Sequence, residues 1–184
     1  MLIAAAEMAM SPRADAADET NPFFTESPLP LHYPEFDKIG DSHFAPAFDA
    51  GMAAQLEEVE AIADNPRLPT FENTIVALER SGRLLDRATT VFFALVGADT
   101  NDERNRLRQE YSAKFSAHSD TIRLNGKLFA RIARLYRDRA GLNLDPEALR
   151  LLESYHRDFV RAGAGRSGAR ESASRHASSS DLCA

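Results

Sequence analysis

The residues from Thr70 to Gly97, TFENTIVALERSGRLLDRATTVFFALVG, carry apolar or small side chains at positions 71, 75, 78, 82, 85, 89, 92 and 96, in steps that alternate between four and three. That rhythm marks one face of an α-helix and is incompatible with a strand, which changes sides at every residue. At ~1.5 Å per residue a single helix here would run roughly 40 Å, a length suited to the spine of a bundle. Thr70, after Leu68-Pro69, is placed to cap its first turn and Gly97 to close its last. Gly82 and Thr89 interrupt the stripe with small side chains, so a neighbouring helix is expected to approach closely there.

The flanking sequence predicts more helices of the same kind. Ser42 or Asp41 is placed to cap a helix with Pro46 in its first turn and Phe44, Phe48, Met52, Leu56, Val59 and Ile62 on one face, ended by Asn65-Pro66. Thr100 and Glu103 form a capping box ahead of Leu107, Tyr111, Phe115, His118 and Ile122. After Asn125-Gly126 a short helix carries Leu128, Phe129, Ile132, Leu135 and Tyr136. Asp145-Pro146 then opens a last helix with Leu149, Leu152, Tyr155, Phe159 and Val160, which stops near Gly163. No segment alternates as a strand does. The expected fold is all-α, a bundle of about five helices.

Three stretches stand apart. Residues 1–20 are acidic, Ala-rich and without period, and are expected to be a disordered leader. In NPFFTESPLPLHYPEF, four prolines exclude a regular helix while Phe23, Phe24, Leu29, Leu31, Tyr33 and Phe36 supply apolar groups, which predicts an extended arm pinned across the helices. Residues 165–184, GRSGARESASRHASSSDLCA, hold Leu182 as their one large aliphatic residue and are expected to be a disordered tail.

Charge and cysteine usage exclude several classes. The net charge of −6 argues against nucleic acid as a partner, since phosphate binding needs basic surface. Over residues 100–164 thirteen bases outnumber nine acids, which a solvated helix surface explains. The opening MLIAAAEMAM lacks the Lys or Arg of a secretory signal and is broken by Glu7, and no run reaches the ~18 apolar residues of a membrane span. Cys183 is the single cysteine, so nothing marks an oxidising compartment, and a cytoplasmic location is expected.

Candidate chemistry is sparse. The histidines His32, His43, His118, His156 and His176 include no pair at the four-residue spacing that presents two imidazoles to one zinc ion. Glu153 and His156 match half of a di-iron pattern that needs a second copy. Asp99, Asn101, Glu103, Asn105 and Glu110 mimic a calcium loop, but Arg104 stands where the sharp turn requires glycine. His118 reads as a hydrogen-bonded core residue, and Cys183 has no placed base to activate it. No catalytic, cofactor-binding or metal-ligating residue is expected in this chain.

The blocks NPFF, FDKIGDSHFAPAFDAGM, NPRLPTFENTIVALERSG, VFFALVGADTND, IRLNGKLFARI and LRLLESYHRDFVRAGA, in this order, resemble the amino-terminal region of the peptidyl-dipeptidase branch of the thimet-oligopeptidase family of zinc metallopeptidases. NPFF and VFFALVGADTND favour that branch over oligopeptidase A. The resemblance covers residues 21–164 and implies the helical amino-terminal domain of a two-halved, all-helical enzyme that releases dipeptides from the C-termini of short peptides. It implies a zinc ion on a His-Glu-x-x-His motif that this chain lacks. The chain is therefore expected to supply scaffold and part of a substrate-channel wall, to hold no zinc itself and to be inactive alone, with the missing catalytic half as its partner. A non-catalytic helical interaction module is the other class left open. The change of composition after Ala164 is expected to mark a truncated or frameshifted reading.

Overall fold

The computed structural model describes residues 21–164. The expectations for the leader, residues 1–20, and for the tail, residues 165–184, lie outside the described residues, as do those for His176 and Cys183. Within them the chain is all-helical and without strands. Helix α1 spans Phe44–Ala63; a wide π-helical turn, Phe71–Val76, runs into the short α2, Ala77–Glu79; α3 spans Arg83–Ala98, α4 Asp102–Arg123, α5 Gly126–Asp138 and α6 Pro146–Ala162. The five helices longer than α2 make up the bundle.

Several helix ends follow from local chemistry. The Thr70 hydroxyl accepts the Asn73 N–H at 3.1 Å while the Asn73 side chain accepts that of Thr70 at 2.9 Å, a reciprocal cap. Asp145 caps α6 through the Ala148 N–H at 2.8 Å, Pro146 occupies the first helical position, and Gly163 ends the helix in the left-handed region at φ 95°. Other ends differ from the sequence reading. Asn101, not Thr100, caps α4, by accepting the Arg104 N–H at 2.7 Å, and Glu103 pairs with Arg106 at 2.6 Å instead of closing a box. Gly97 lies inside the last turn of α3, which ends at Ala98. Neither Ser42 nor Asp41 caps α1: a 3₁₀ turn, Asp41–His43, leads into it, and Asp41 is spent on Arg104 and Asn101, at 2.7 and 2.6 Å.

The predicted spine is not one helix. A straight helix drifts about 20° per heptad from a strict seven-residue repeat, so a stripe held from Phe71 to Val96 requires either supercoiling or a break. Here it breaks at Gly82, which adopts φ 74° and donates its N–H to the Glu58 carboxylate at 2.7 Å. The break also separates two cores. Ile75 and Leu78, before it, join Val59, Ile62, Leu128, Ile132, Leu135, Leu152 and Phe159. Ala88, Val91 and Phe92, after it, join Phe23, Phe44, Ala47, Phe48, Leu107 and Tyr111. Helix backbones meet most closely at Gly51 on α1, where a Cβ would lie 2.9 Å from the Leu85 backbone, while at Gly82 the expected neighbour is the Gln55 side chain of α1, 2.3 Å from where a Cβ would stand.

Phe48 is the hub of the second core. Its ring lies 5.2 Å from that of Phe92, 5.0 Å from Tyr111 and 5.1 Å from Phe115, each pair near edge-to-face, the arrangement the ring quadrupoles favour. The amino-terminal arm is pinned as expected at one end only. Asn21 donates to the His43 carbonyl at 2.9 Å, Phe23 is buried against Phe44, and Arg87 donates to the Phe23 carbonyl. Leu29, Leu31, Tyr33 and Phe36, expected to pack, are exposed instead, because the local prolines and turns carry them off the bundle. Val160 is likewise exposed on α6.

Candidate functional site

The two cores leave a seam. Along α1, Gln55 falls between Phe48, which belongs to one core, and Val59, which belongs to the other. Gly82, His118 and Ser119 sit on the same seam, and a groove of about 790 Å³ opens there, walled by α3 and α4, with Tyr155 of α6 on its lining. Phe93, half exposed, and Leu85 add apolar surface; Glu79 and Asp86 add carboxylates.

The polar groups of the groove are held in place. The imidazole Nε2 of His118 donates to the Gln55 side-chain oxygen at 2.7 Å, and burial holds the His118 pKa below its ordinary value. The neutral ring that results is a hydrogen-bonding group. The Tyr155 hydroxyl donates to a Glu79 carboxylate oxygen at 2.5 Å, and burial, then the adjacent carboxylate, raises the Tyr155 pKa. Tyr155 is therefore a fixed neutral donor at pH 7. Such a groove can bind a polar, extended ligand. It does not assemble a nucleophile, since among the described residues no serine or threonine hydroxyl is hydrogen-bonded to a histidine.

The residues singled out from the sequence are scattered. His43 accepts the Gly40 N–H at 3.0 Å, His32 lies on the exposed arm, and His156 stacks on the Tyr136 ring at 3.8 Å. Glu153 faces Arg139 at 3.9 Å. Asp99 is on the turn before α4, while Glu103 and Glu110 lie within its first turns and flank Arg106, so the calcium-loop spacing is helix. Among the described residues no three His, Cys, Asp or Glu side chains converge as a ligand set. These residues do not fit the zinc that the resemblance implies, and no step through a metal is drawn from them. Nor is any of their helices long and apolar enough to cross a membrane. Gln55 and Glu79, which shape the groove, carry no signal in the sequence, and Tyr155 stands out there only as part of an apolar helix face; the tertiary fold brings the three together.

No family model matches the chain. It is 50% identical to dipeptidyl carboxypeptidase of Escherichia coli (strain K12) over 144 residues, which are 78% of this chain and 21% of that protein. It is 49% identical to dipeptidyl carboxypeptidase of Salmonella typhimurium over 145 residues, 79% of this chain and 21% of that protein. The chain thus spans about a fifth of the length of the curated relatives it matches. With half of the residues identical across most of its length, this chain is the homologue of one segment of dipeptidyl carboxypeptidase.

Proposed function

We propose that this chain is the amino-terminal, helical part of a peptidase of the dipeptidyl carboxypeptidase type, a zinc enzyme that removes dipeptides from the C-termini of short peptides. In this reading the chain contributes scaffold, and the seam groove beside Gln55, His118 and Tyr155 forms part of the wall along which the peptide lies. Metal and catalytic groups come from polypeptide outside the matched segment. The observation that carries the reading is the half-identity to two proteins of that name. The open groove, which sets Gln55, Glu79, His118 and Tyr155 among apolar side chains, is compatible with a peptide, whose backbone N–H and C=O groups need partners when taken out of water.

The test is an exchange. Residues 21–164 replace the matched segment in the E. coli relative, and release of dipeptides from short peptides is assayed. The chimera is expected to be active and the 184-residue chain alone inactive. A folded chimera that binds zinc yet releases no dipeptide would overturn the proposal.

A further inference from the structure

Residues 27–36 form a turn that is held rigid from within. The Ser27 hydroxyl donates to the Tyr33 carbonyl at 2.6 Å and accepts the Leu29 N–H at 3.2 Å, and the His32 ring lies 3.0 Å from the Ser27 carbonyl. Pro28, Pro30 and Pro34 fix three further backbone angles. Within this frame Leu31 and His32 both take left-handed conformations, φ 57° and 54°. Two consecutive residues of this kind, neither of them glycine, are uncommon, and such strain persists where a shape is needed. Its consequence is that Leu31 stands 98% exposed at the apex, flanked by Tyr33 at 62% and Phe36 at 41%, whose rings meet edge to face at 5.8 Å.

We propose that this apex is a docking anchor: Leu31, with Tyr33 beside it, inserts into an apolar pocket on the part of dipeptidyl carboxypeptidase that lies outside the segment matched here. The inference rests on the proposed function. Because the turn is already rigid, docking loses little of the conformational entropy that a flexible loop gives up. Roughly four-fifths of each relative lies outside the match, so in those proteins the segment has a large partner joined to it. A second copy of this chain suits the apex less well. A self-complementary contact would set one convex tip against another. The hollow at the end of α1 is walled by Glu60, Asp64 and Lys127, and the seam groove sets Glu79, Asp86 and His118 among its apolar side chains, so that a buried Leu31 would strip water from charged groups there.

The experiment places Leu31→Asp both in the full 184-residue chain and in the E. coli chimera described above, and reads thermal unfolding of each. Among the described residues of the chain alone the side chain has no packing partner, and the midpoint is expected to stay within error. In the chimera the midpoint is expected to fall by at least about 2 °C, with Tyr33→Ser acting in the same direction and Leu124→Ser, at an exposed site on another element, acting on neither. An equal effect in both polypeptides, no effect in the chimera, or self-association of the chain alone that Leu31→Asp abolishes would each overturn the anchor. An active chimera that is indifferent to Leu31→Asp would remove the anchor and leave the functional reading standing. A chimera that does not fold counts against both.

Discussion

The carboxylate of Glu58, on α1, accepts the backbone N–H of Gly82 at 2.7 Å, at the point where the chain passes from one hydrophobic core to the other. The bond satisfies a donor that the helix break would otherwise leave open, and Gly82 tolerates the φ of 74° that the break requires. Gly82→Ala is expected to cost about 1–3 kcal/mol, from backbone strain and from a Cβ that would lie 2.3 Å from the Gln55 side chain. Gly51→Ala is expected to cost a similar amount, about 1–3 kcal/mol by overpacking, because the obstacle is the Leu85 backbone and cannot swing aside. Gly97→Ala, with open space around it in a helix, is expected to gain up to about 1 kcal/mol. Urea unfolding of the three variants checks the ordering.

Truncating the hub of the aromatic core should be the most damaging single change. Phe48→Ala leaves the rings of Phe44, Phe92, Tyr111 and Phe115 around a void and is expected to cost about 3–5 kcal/mol. Denaturant titration, with near-ultraviolet circular dichroism to report on Tyr111, measures it.

Arg131 is 7% exposed on α5 and ties down the chain between α1 and the π-helical turn. It donates to the carbonyls of Asn65 and Arg67, at 2.8 and 3.1 Å, and to the Asn73 side chain at 2.9 Å. Arg131→Met keeps the length of the side chain and removes all three bonds. The expected loss is about 1–3 kcal/mol, with faster amide exchange concentrated at residues 65–73.

Two half-buried histidines set a pH dependence. Burial lowers the pKa of His118, and burial followed by the nearby charge of Arg139 lowers that of His156. Each therefore binds a proton more readily in the unfolded chain. Stability is full above the ordinary histidine pKa of 6.5 and declines as the pH falls through it toward the lower folded-state values. The urea midpoint is expected to drop between about pH 7.5 and about pH 5, above the range where carboxylates titrate. His118→Gln, which keeps a hydrogen-bonding group beside Gln55, is expected to make the drop shallower.

How much of this was legible beforehand depended on the range of the interaction. The caps at Thr70 and Asp145 and the left-handed end at Gly163 involve groups within a few residues and could be read directly. The buried faces followed from period alone, and Phe44, Phe48, Val59, Ile62, Leu107, Tyr111, Leu152 and Phe159 all lie in a core. The break at Gly82 could not be read, because its partner Glu58 lies on another helix and the stripe runs on across the gap. Thr100 and Asn101 compete for one cap, and tertiary bonding decides between them, since Asn101 also donates to Asp41. The seam groove was illegible for the same reason: Gln55, Gly82, His118 and Tyr155 come from four separate parts of the chain.

Zinc content and dipeptide release, measured together on the purified 184-residue chain and on the chimera that carries residues 21–164, decide most directly whether these helices are a wall that depends on chemistry supplied from elsewhere. The expected result is zinc and dipeptide release in the chimera and neither in the chain by itself. Tight, stoichiometric zinc on the isolated chain, together with removal of C-terminal dipeptides, would contradict it.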